Sequence, residues 1–155
     1  MDIGELLAGD GVVLRSGASS KRQALHAVAL AAGQALGLSE VRIMEALLQR
    51  EALGSTGLGS GVAVPHARLD GLEQVTGVFV RLETPVAWGA VDDRPVDLLF
   101  ALFAPPRDGA DHLRALAAVS RALRSTEMRE HLRKARTTDA IRALFVRDPI
   151  RATAA

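Results

Sequence analysis

One stretch of the sequence, GSTGLGSGVAVPHARL from Gly54 to Leu69, combines chemically useful side chains with an unusual backbone. Four glycines, two serines and a threonine stand directly before a Val-Ala-Val-Pro-His run. Glycine at this density predicts a main chain that turns sharply or approaches another group closely. His66 follows Pro65, whose ring restricts the backbone, and a short apolar strand predicted over residues 62–64. Because sites in α/β proteins form at strand ends, His66 is the first catalytic candidate, and a turn-capping loop histidine is the alternative.

The chemistry that this arrangement favours is phosphoryl transfer through the imidazole. An unperturbed histidine, with a pKa of about 6.5, is mostly neutral in the cell, so one ring nitrogen can attack phosphorus. We expect Nδ1–H of His66 to donate to a main-chain carbonyl, which leaves Nε2 as the nucleophile. The transition state needs donors on its equatorial oxygens. The glycine loop offers main-chain N–H groups and hydroxyls as candidates, at Ser55, Thr56, Gly57, Gly59 and Gly61. For Ser55, a turn-making role is equally compatible with its position.

Two side chains from other parts of the sequence could also contact a phosphoryl group. Arg50 ends the helix predicted before the glycine loop, and its guanidinium fork matches two phosphate oxygens. A favourable cation at a helix C-terminus is an equally good explanation of Arg50. His112 follows Asp111 at the start of a predicted helix, where a neutral imidazole could donate a hydrogen bond to a bound anion. By position alone, an ordinary first-turn residue is the stronger interpretation of His112.

Composition and motif tests exclude several other classes of function. The chain has no cysteine, and no pair of its four histidines has one-turn helical spacing, so we expect no metal site. The 19 basic and 18 acidic residues give a formal net charge of +1, so neither nucleic acid nor an anionic membrane is an expected partner. The glycine loop matches neither a P-loop nor the elbow of a serine hydrolase. Without a signal peptide or an apolar run of about 20 residues, the chain is expected to be cytoplasmic, without membrane insertion.

The elements that must hold these side chains follow from hydrophobic periodicity and capping signals. A Ser20–Gln23 capping box and Gly37 delimit a first helix, and a second helix begins near Ser39 and ends near Ala52. Two nearly continuous apolar runs are typical of strands buried on both faces, Gln74–Leu82 and Val96–Ala104. Three more helices are predicted afterwards, one over about 111–124, one capped by Ser125 or Thr126, and one from Thr137 or Thr138 through Phe145.

We therefore predict an α/β fold with a small sheet that helices cover on both faces. The 155 residues, 48% of them hydrophobic, suit a single domain, and the 3% aromatic content predicts a core of Leu, Val and Ala. The predicted order of elements is helix, helix, strands, helices. The predicted domain spans residues 1–147, and residues 148–155 are predicted to be a C-terminal tail.

The run LLQREALGSTGLGSGVAVPHARL resembles the phosphorylation-site segment of the type-2 enzyme IIA domains of the bacterial phosphoenolpyruvate-dependent phosphotransferase system. This family contains the fructose/mannitol-type IIA domains and their nitrogen-related relative. The segments PVDLLFALFAPP and DHLRALAAVSRAL resemble later parts of the family in the right order, so the resemblance covers about Ile3 to Phe145. It implies a central mixed sheet flanked by helices, and a protein that needs no metal or organic cofactor.

The resemblance also implies roles for individual residues and for partners. The phosphorylated histidine of the family falls on His66, the arginine before its glycine loop on Arg50, and its second active-site histidine on His112. In the family an HPr-type phosphocarrier donates the phosphoryl group, and a IIB domain or, in the nitrogen branch, regulatory proteins lie downstream. The free-standing domain and its IGELL start resemble the nitrogen-related type most. A sugar-transport IIA that works with a separate IIB is the alternative.

The sequence departs from the family pattern at Ser60, where asparagine is expected, and at Ala67 and Asp93, where glycine is expected or frequent. Two other classes of function compete with a phosphocarrier. A pure binding module would have no need of the three dispersed groups of the candidate site. An acid–base or hydrolytic enzyme would need a carboxylate beside a nucleophile, and the nearest one, Asp70, is better explained as a turn residue.

Overall fold

The structure, a computed structural model, describes residues 2–107 and 109–146. In chain order these ranges hold α1 (Ile3–Leu6), β1 (Leu7–Ser16), α2 (Lys21–Leu36), α3 (Glu40–Leu53), β2 (Gly57–Gly59), β3 (Val62–Ala63), β4 (His66–Arg68), β5 (Thr76–Val86), β6 (Val96–Ala104), α4 (Ala110–Arg124), α5 (Thr126–Lys134) and α6 (Thr138–Val146). The predicted tail, residues 148–155, lies outside these ranges. Within them, no helix has the length and apolar character needed to cross a membrane.

The strands form one mixed sheet in the order β1-β5-β6-β3-β2, with β4 also paired to β6. β5 and β6 are antiparallel, whereas β1 runs parallel to β5, and β3 and β4 both run parallel to β6. β3 pairs with β6 at Leu98 and Leu99, and β4 pairs with it at residues 102–104. The two short strands therefore follow each other along one edge of β6. Pro65 lies between them, where the absence of an N–H breaks the ladder.

Helices cover both faces of this sheet, as predicted. α2 and α3 pack on one face through apolar side chains such as Leu25 and Leu47. α1, α4, α5 and α6 cover the other face, where Phe145 packs edge-on against Phe100 of β6 with ring centroids 5.1 Å apart. From Leu98 to Ala104, successive residues of β6 alternate between the two cores, with Phe100 on one side and Phe103 on the other. This double burial explains why the sequence of β6 is almost wholly apolar.

The predicted helix signals are confirmed at both ends of α2. The hydroxyl of Ser20 accepts a hydrogen bond from the N–H of Gln23 at 3.1 Å, and the Gln23 side chain accepts one from the N–H of Ser19 at 2.8 Å. Gly37 ends the helix with φ at 68°, in the left-handed region that suits glycine. The strand predicted over Val96–Ala104 is confirmed as β6.

The sequence prediction missed β1 and misplaced the ends of β5. Gly9, Asp10 and Gly11 interrupt the apolar alternation of β1, and its pairing with β5 shifts register across the same stretch. β5 begins at Thr76 and continues to Val86, past the predicted end at Leu82. β1 was missed because its partner strand β5 lies about 70 residues away in the sequence, whereas the end of β5 at Val86 pairs with the nearby Val96.

Candidate active site

His66 is the first residue of β4 and lies opposite Leu102 of the central strand β6. The carbonyl of Pro65 accepts a hydrogen bond from the N–H of Leu102 at 2.9 Å, so the backbone directly before the imidazole is tied to β6. The side chain is half-buried. Arg50 approaches it from α3 on one face of the sheet, and His112 approaches from α4 on the other face. The short, interrupted edge strand thus brings groups from both helical layers to one imidazole.

Two hydrogen bonds define the tautomer of the His66 ring. Nδ1 lies 3.0 Å from the carbonyl oxygen of Val64, which can only accept, so Nδ1 carries the proton. Nε2 accepts a hydrogen bond from Nε of Arg50 at 3.1 Å, and a guanidinium can only donate. The prediction that Nδ1–H donates to a main-chain carbonyl is therefore confirmed. The lone pair of the ring is on Nε2 and points towards a cation.

The surroundings of His66 favour its neutral form. Burial lowers the pKa of the imidazole below its ordinary value of 6.5, and the positive charge of Arg50 lowers it further. The hydrogen bond to the Val64 carbonyl and the negative charge of Glu51 act in the opposite direction but do not reverse the shift. At neutral pH the ring is therefore uncharged and keeps its nucleophilic lone pair.

Arg50 lies in the last turn of α3 and connects the imidazole to the glycine loop. Its Nη1 donates to the carbonyl of Gly54 at 2.8 Å while its Nε donates to His66. The guanidinium thus binds a carbonyl at the end of its own helix and also reaches the imidazole, and its pairing with phosphate oxygens stays a prediction. A guanidinium held by one edge presents a preorganised fork for anionic oxygens.

His112 lies in the first turn of α4 and is buried, with 6% of its surface exposed. Its ring centroid lies 5.5 Å from that of His66, and the two ring planes are inclined by 56°. The structure therefore brings together all three side chains predicted to act in catalysis, although they come from two helices and a strand. The other two histidines, His26 and His131, lie on exposed helix surfaces.

Two open cavities meet at the imidazole. The larger, of about 500 Å³, is lined by His66 and His112 together with Arg50, Leu53 and Leu116. The smaller, of about 200 Å³, lies on the side of the glycine loop and is lined by His66, Arg50, Ser55, Thr56, Gly57, Leu58, Val64, Leu116 and Ser120. The His66 side chain is thus reachable from outside the protein. Within the described part of the chain, no three His, Asp or Glu side chains cluster as a metal site requires.

Much of the hydrogen bonding of the glycine loop is directed into the protein, which argues against the prediction that its N–H groups and hydroxyls bind phosphoryl oxygens. Three of its N–H groups already have acceptors: Thr56 donates to Glu51 at 3.3 Å, Gly57 to the Ser55 hydroxyl at 3.1 Å, and Ser60 to Asp92 at 2.8 Å. Both predicted hydroxyls are also engaged, since Ser55 donates to the Trp88 carbonyl at 3.4 Å and Thr56 donates to Glu51. In this conformation the loop lines one side of the smaller cavity, held in place by its own hydrogen bonds. Binding of phosphate by Ser55, Thr56 and Gly57 stays a prediction.

Gly59 and Gly61 lie at the turn between β2 and β3, and neither lines the two cavities at His66. Both have positive φ, 91° and 82°, and Ser60 between them has φ at 57°. A side chain on Gly61 would collide with the guanidinium of Arg133 in α5. The glycines are therefore explained by turn geometry and close packing rather than by contact with a phosphoryl group. Asparagine and glycine tolerate such backbone angles best, which accounts for the family expectations at Ser60 and at Asp93, whose φ is 56°.

Comparison with known proteins matches residues 5–147 to the model of one family, described as phosphoenolpyruvate-dependent sugar phosphotransferase system, EIIA 2. The chain belongs to this family. A nitrogen regulatory protein of Bradyrhizobium diazoefficiens is 43% identical over 155 residues, which is the full length of both chains. The crystal structure of nitrogen regulatory protein IIA-Ntr from Neisseria meningitidis matches with a TM-score of 0.86 and 36% identity, and the match covers 92% of this chain and 98% of that one.

A second similar structure is a complex of mannitol enzyme IIA with phosphorylated mannitol enzyme IIB from Escherichia coli. It matches this type-2 enzyme IIA with a TM-score of 0.75 over 90% of this chain and 98% of that one, at 23% identity. At that identity the match shows the fold alone. The fold of the chain is accordingly that of the enzyme IIA structures, as the sequence resemblance implied.

Sequence reasoning missed two charged side chains of this enzyme IIA domain that lie behind the site. Glu51 is adjacent to Arg50, and its side chain forms an ion pair with Lys21 at 2.7 Å. A signal for Glu51 was present, because it follows the buried residues Ile43 and Leu47 at spacings of four and shares their side of α3. No comparable signal exists for Lys21, which begins α2 and is distant in the sequence.

Proposed function

We propose that the chain is a histidine phosphocarrier of the phosphoenolpyruvate-dependent phosphotransferase system, with His66 as the phosphorylated residue. The observation that carries this proposal is the pair of hydrogen bonds on the imidazole. The Val64 carbonyl holds the proton on Nδ1, and the lone pair of Nε2 points at the guanidinium of Arg50. A nucleophile needs this lone pair, and a guanidinium is the group best suited to receive anionic oxygens. Family membership supports the same role.

In the proposed reaction, Nε2 of His66 attacks the phosphorus of a phosphohistidine on an HPr-type donor. The nitrogen–phosphorus bond of the donor breaks as the Nε2–P bond forms, and the donor imidazole recovers its lone pair. Nδ1 of His66 keeps its proton, so the step needs no general base. The hydrogen bond that Nε–H of Arg50 now donates to Nε2 must be redirected to a phosphoryl oxygen. His112, with its ring centroid 5.5 Å from that of His66, can donate a hydrogen bond to another phosphoryl oxygen.

An apolar rim around the site suits docking by a protein donor. Leu53 and Leu58 are 84% and 39% exposed. Leu53 lines the larger cavity at His66, and Leu58 lines the smaller one. Exposed apolar side chains grouped around a reactive group mark an interaction surface. We infer that the donor and the downstream partner contact this rim in turn.

Similarity to nitrogen regulatory proteins favours regulatory proteins as downstream partners, bound differently according to the phosphorylation of His66. Transfer from His66 to a IIB domain of a sugar transporter is the second candidate, and the fold shared with the mannitol IIA–IIB complex supports it. A module that binds its partners without phosphorylation is the third candidate. Partner binding that is indifferent to His66→Asp would favour that third candidate.

The test is incubation of the purified chain with a phosphorylated HPr-type protein, followed by intact mass spectrometry and peptide mapping. We expect one phosphoryl group on His66, in a bond that acid breaks and base does not. His66→Gln should accept none, whereas the control His131→Gln, which changes an exposed histidine of α5, should accept it at the parent rate. Uptake by His66→Gln equal to that of the parent would contradict the proposal.

A further inference from the structure

A buried carboxylate lies directly behind the catalytic arginine. Glu51 follows Arg50 in α3, and its side chain is 7% exposed. It accepts hydrogen bonds from the N–H of Thr56 at 3.3 Å and from the Thr56 hydroxyl, and it pairs with the ammonium of Lys21 at 2.7 Å. A buried carboxylate is unfavourable unless cations and donors compensate it. The carboxylate of Glu51 is therefore compensated by one cation, Lys21, and by two donors of Thr56.

Lys21 connects this carboxylate to a third segment of the chain. Its Nζ donates to the carbonyl of Trp88 at 3.0 Å and lies 4.9 Å from the centroid of the Trp88 ring. The same carbonyl accepts from the hydroxyl of Ser55 at 3.4 Å. One ammonium thus joins the start of α2, the end of α3 and the segment after β5. The glycine loop begins against this junction.

From Glu51, hydrogen bonds lead through the main chain to the imidazole. Glu51 holds Thr56, and the carbonyl of Thr56 accepts from the N–H of Val64 at 3.0 Å. The carbonyl of Val64 in turn accepts from Nδ1 of His66 at 3.0 Å. The arginine depends on the same segment, because Nη1 of Arg50 donates to the carbonyl of Gly54, two residues before Thr56. Both partners of the imidazole are therefore positioned by the stretch that Glu51 fixes.

We propose that Glu51 and Lys21 are positioning residues for phosphoryl transfer, which hold the Val64 carbonyl and Arg50 so that His66 stays in its Nδ1–H tautomer. The charge of Glu51 has a second effect. Bond formation at Nε2 leaves a proton on Nδ1 and therefore a positive charge on the ring. A carboxylate close behind the ring favours that charge, in agreement with its effect of raising the pKa of His66 against burial and Arg50.

The first readout needs no phosphoryl donor and is therefore independent of the proposed function. Ring ¹⁵N chemical shifts of the labelled, unphosphorylated protein report the tautomer of His66 at a pH well above its pKa, with His66→Gln used for assignment. We expect the Nδ1–H form in the parent protein. Lys21→Met and Glu51→Gln should each increase the Nε2–H form that free histidine favours, and Lys21→Arg should restore the parent spectrum.

The second readout, which rests on the proposed function, is the rate of His66 phosphorylation by phosphoramidate, a small-molecule donor that needs no docking surface. We expect Lys21→Met and Glu51→Gln to be slower by about tenfold or more, because a displacement of about 1 Å can cost roughly a hundredfold. The matched controls Lys134→Met and Glu45→Gln change exposed helix residues and should behave like the parent.

The proposal requires both a larger share of the Nε2–H tautomer and a slower phosphorylation rate in each of the variants Lys21→Met and Glu51→Gln that folds. A folded variant with the parent tautomer, or with the parent rate, would overturn the proposal. Loss of folding in both variants would make the ion pair structural and would overturn it too. Failure of the HPr-type donor to phosphorylate the parent refutes the proposed function instead, and leaves the ring spectra to decide on positioning.

Discussion

Replacement of Arg50 by lysine keeps the positive charge and removes the planar fork. In the structure the guanidinium donates through Nε to Nε2 of His66 at 3.1 Å and through Nη1 to the carbonyl of Gly54 at 2.8 Å. With Nη1 engaged at Gly54, the Nε edge is the part that faces the reacting nitrogen and can turn to two phosphoryl oxygens. A lysine ammonium can meet one such oxygen from this position, and it cannot also hold the loop carbonyl.

The expected effect is the loss of one charge-assisted hydrogen bond in the transition state. Such a bond contributes about 1.5–3 kcal/mol. Since each 1.4 kcal/mol or so changes a rate tenfold, Arg50→Lys should slow phosphorylation by about 10- to 150-fold. The donor protein could compensate only if it brought its own cation to the same oxygens.

The assay is rapid-quench phosphorylation by an HPr-type donor, repeated with phosphoramidate to separate chemistry from docking. We expect Arg50→Lys to be slow with both donors. Arg42→Lys, an exposed substitution on the same helix, serves as the control and should match the parent with both. A rate for Arg50→Lys within about twofold of the parent, far outside the effect expected for one lost charged hydrogen bond, would refute the assignment of Arg50.

Four further predictions follow from the site geometry. Because the pKa of His66 lies below 6.5, the phosphorylation rate should be flat at neutral pH and fall only below that value. As the pH falls, His66 becomes protonated in the unfolded chain before it does in the folded one, because folding lowers its pKa. The free energy of unfolding measured in urea should therefore decrease as the pH falls below 6.5, and His66→Gln should lack the part of this decrease that is due to His66. Gly57→Ala places a new Cβ 2.8 Å from that of Ala90 and should lower the free energy of unfolding by about 1–3 kcal/mol. The fluorescence of Trp88 during urea unfolding measures this change. His112→Ala should slow phosphorylation by about 10- to 150-fold if it donates to the phosphoryl group, and His112→Asn should recover part of the rate.

Those parts of the site that produce a local sequence pattern could be predicted from the sequence. The Pro65–His66 step and the glycine run marked the position of the nucleophile, and the resemblance assigned Arg50 and His112. The proximity of the last two to His66 was not visible locally, because α3 and α4 cover opposite faces of the sheet. Only the parallel pairing of β4 with β6 brings both helices to the same imidazole.

The glycine loop shows the limit of such reasoning. Its composition predicted turns and close approach, and both occur, but it did not show what the backbone would approach. Gly57 lies against Ala90 and Trp88, and Gly61 lies against Arg133, all of them residues far away in the sequence. Glu51 was missed for a related reason, since a carboxylate on the buried side of a helix has meaning only once Lys21 is known to face it.

The measurement that tests the account most directly is the ring nitrogen that bears the phosphoryl group. In the ¹⁵N-labelled, phosphorylated chain, phosphorus–nitrogen coupling identifies that atom by NMR. The account predicts coupling at Nε2 of His66, with Nδ1 still protonated and hydrogen-bonded to the carbonyl of Val64. Coupling at Nδ1 of His66, or at a nitrogen of His112, would contradict it.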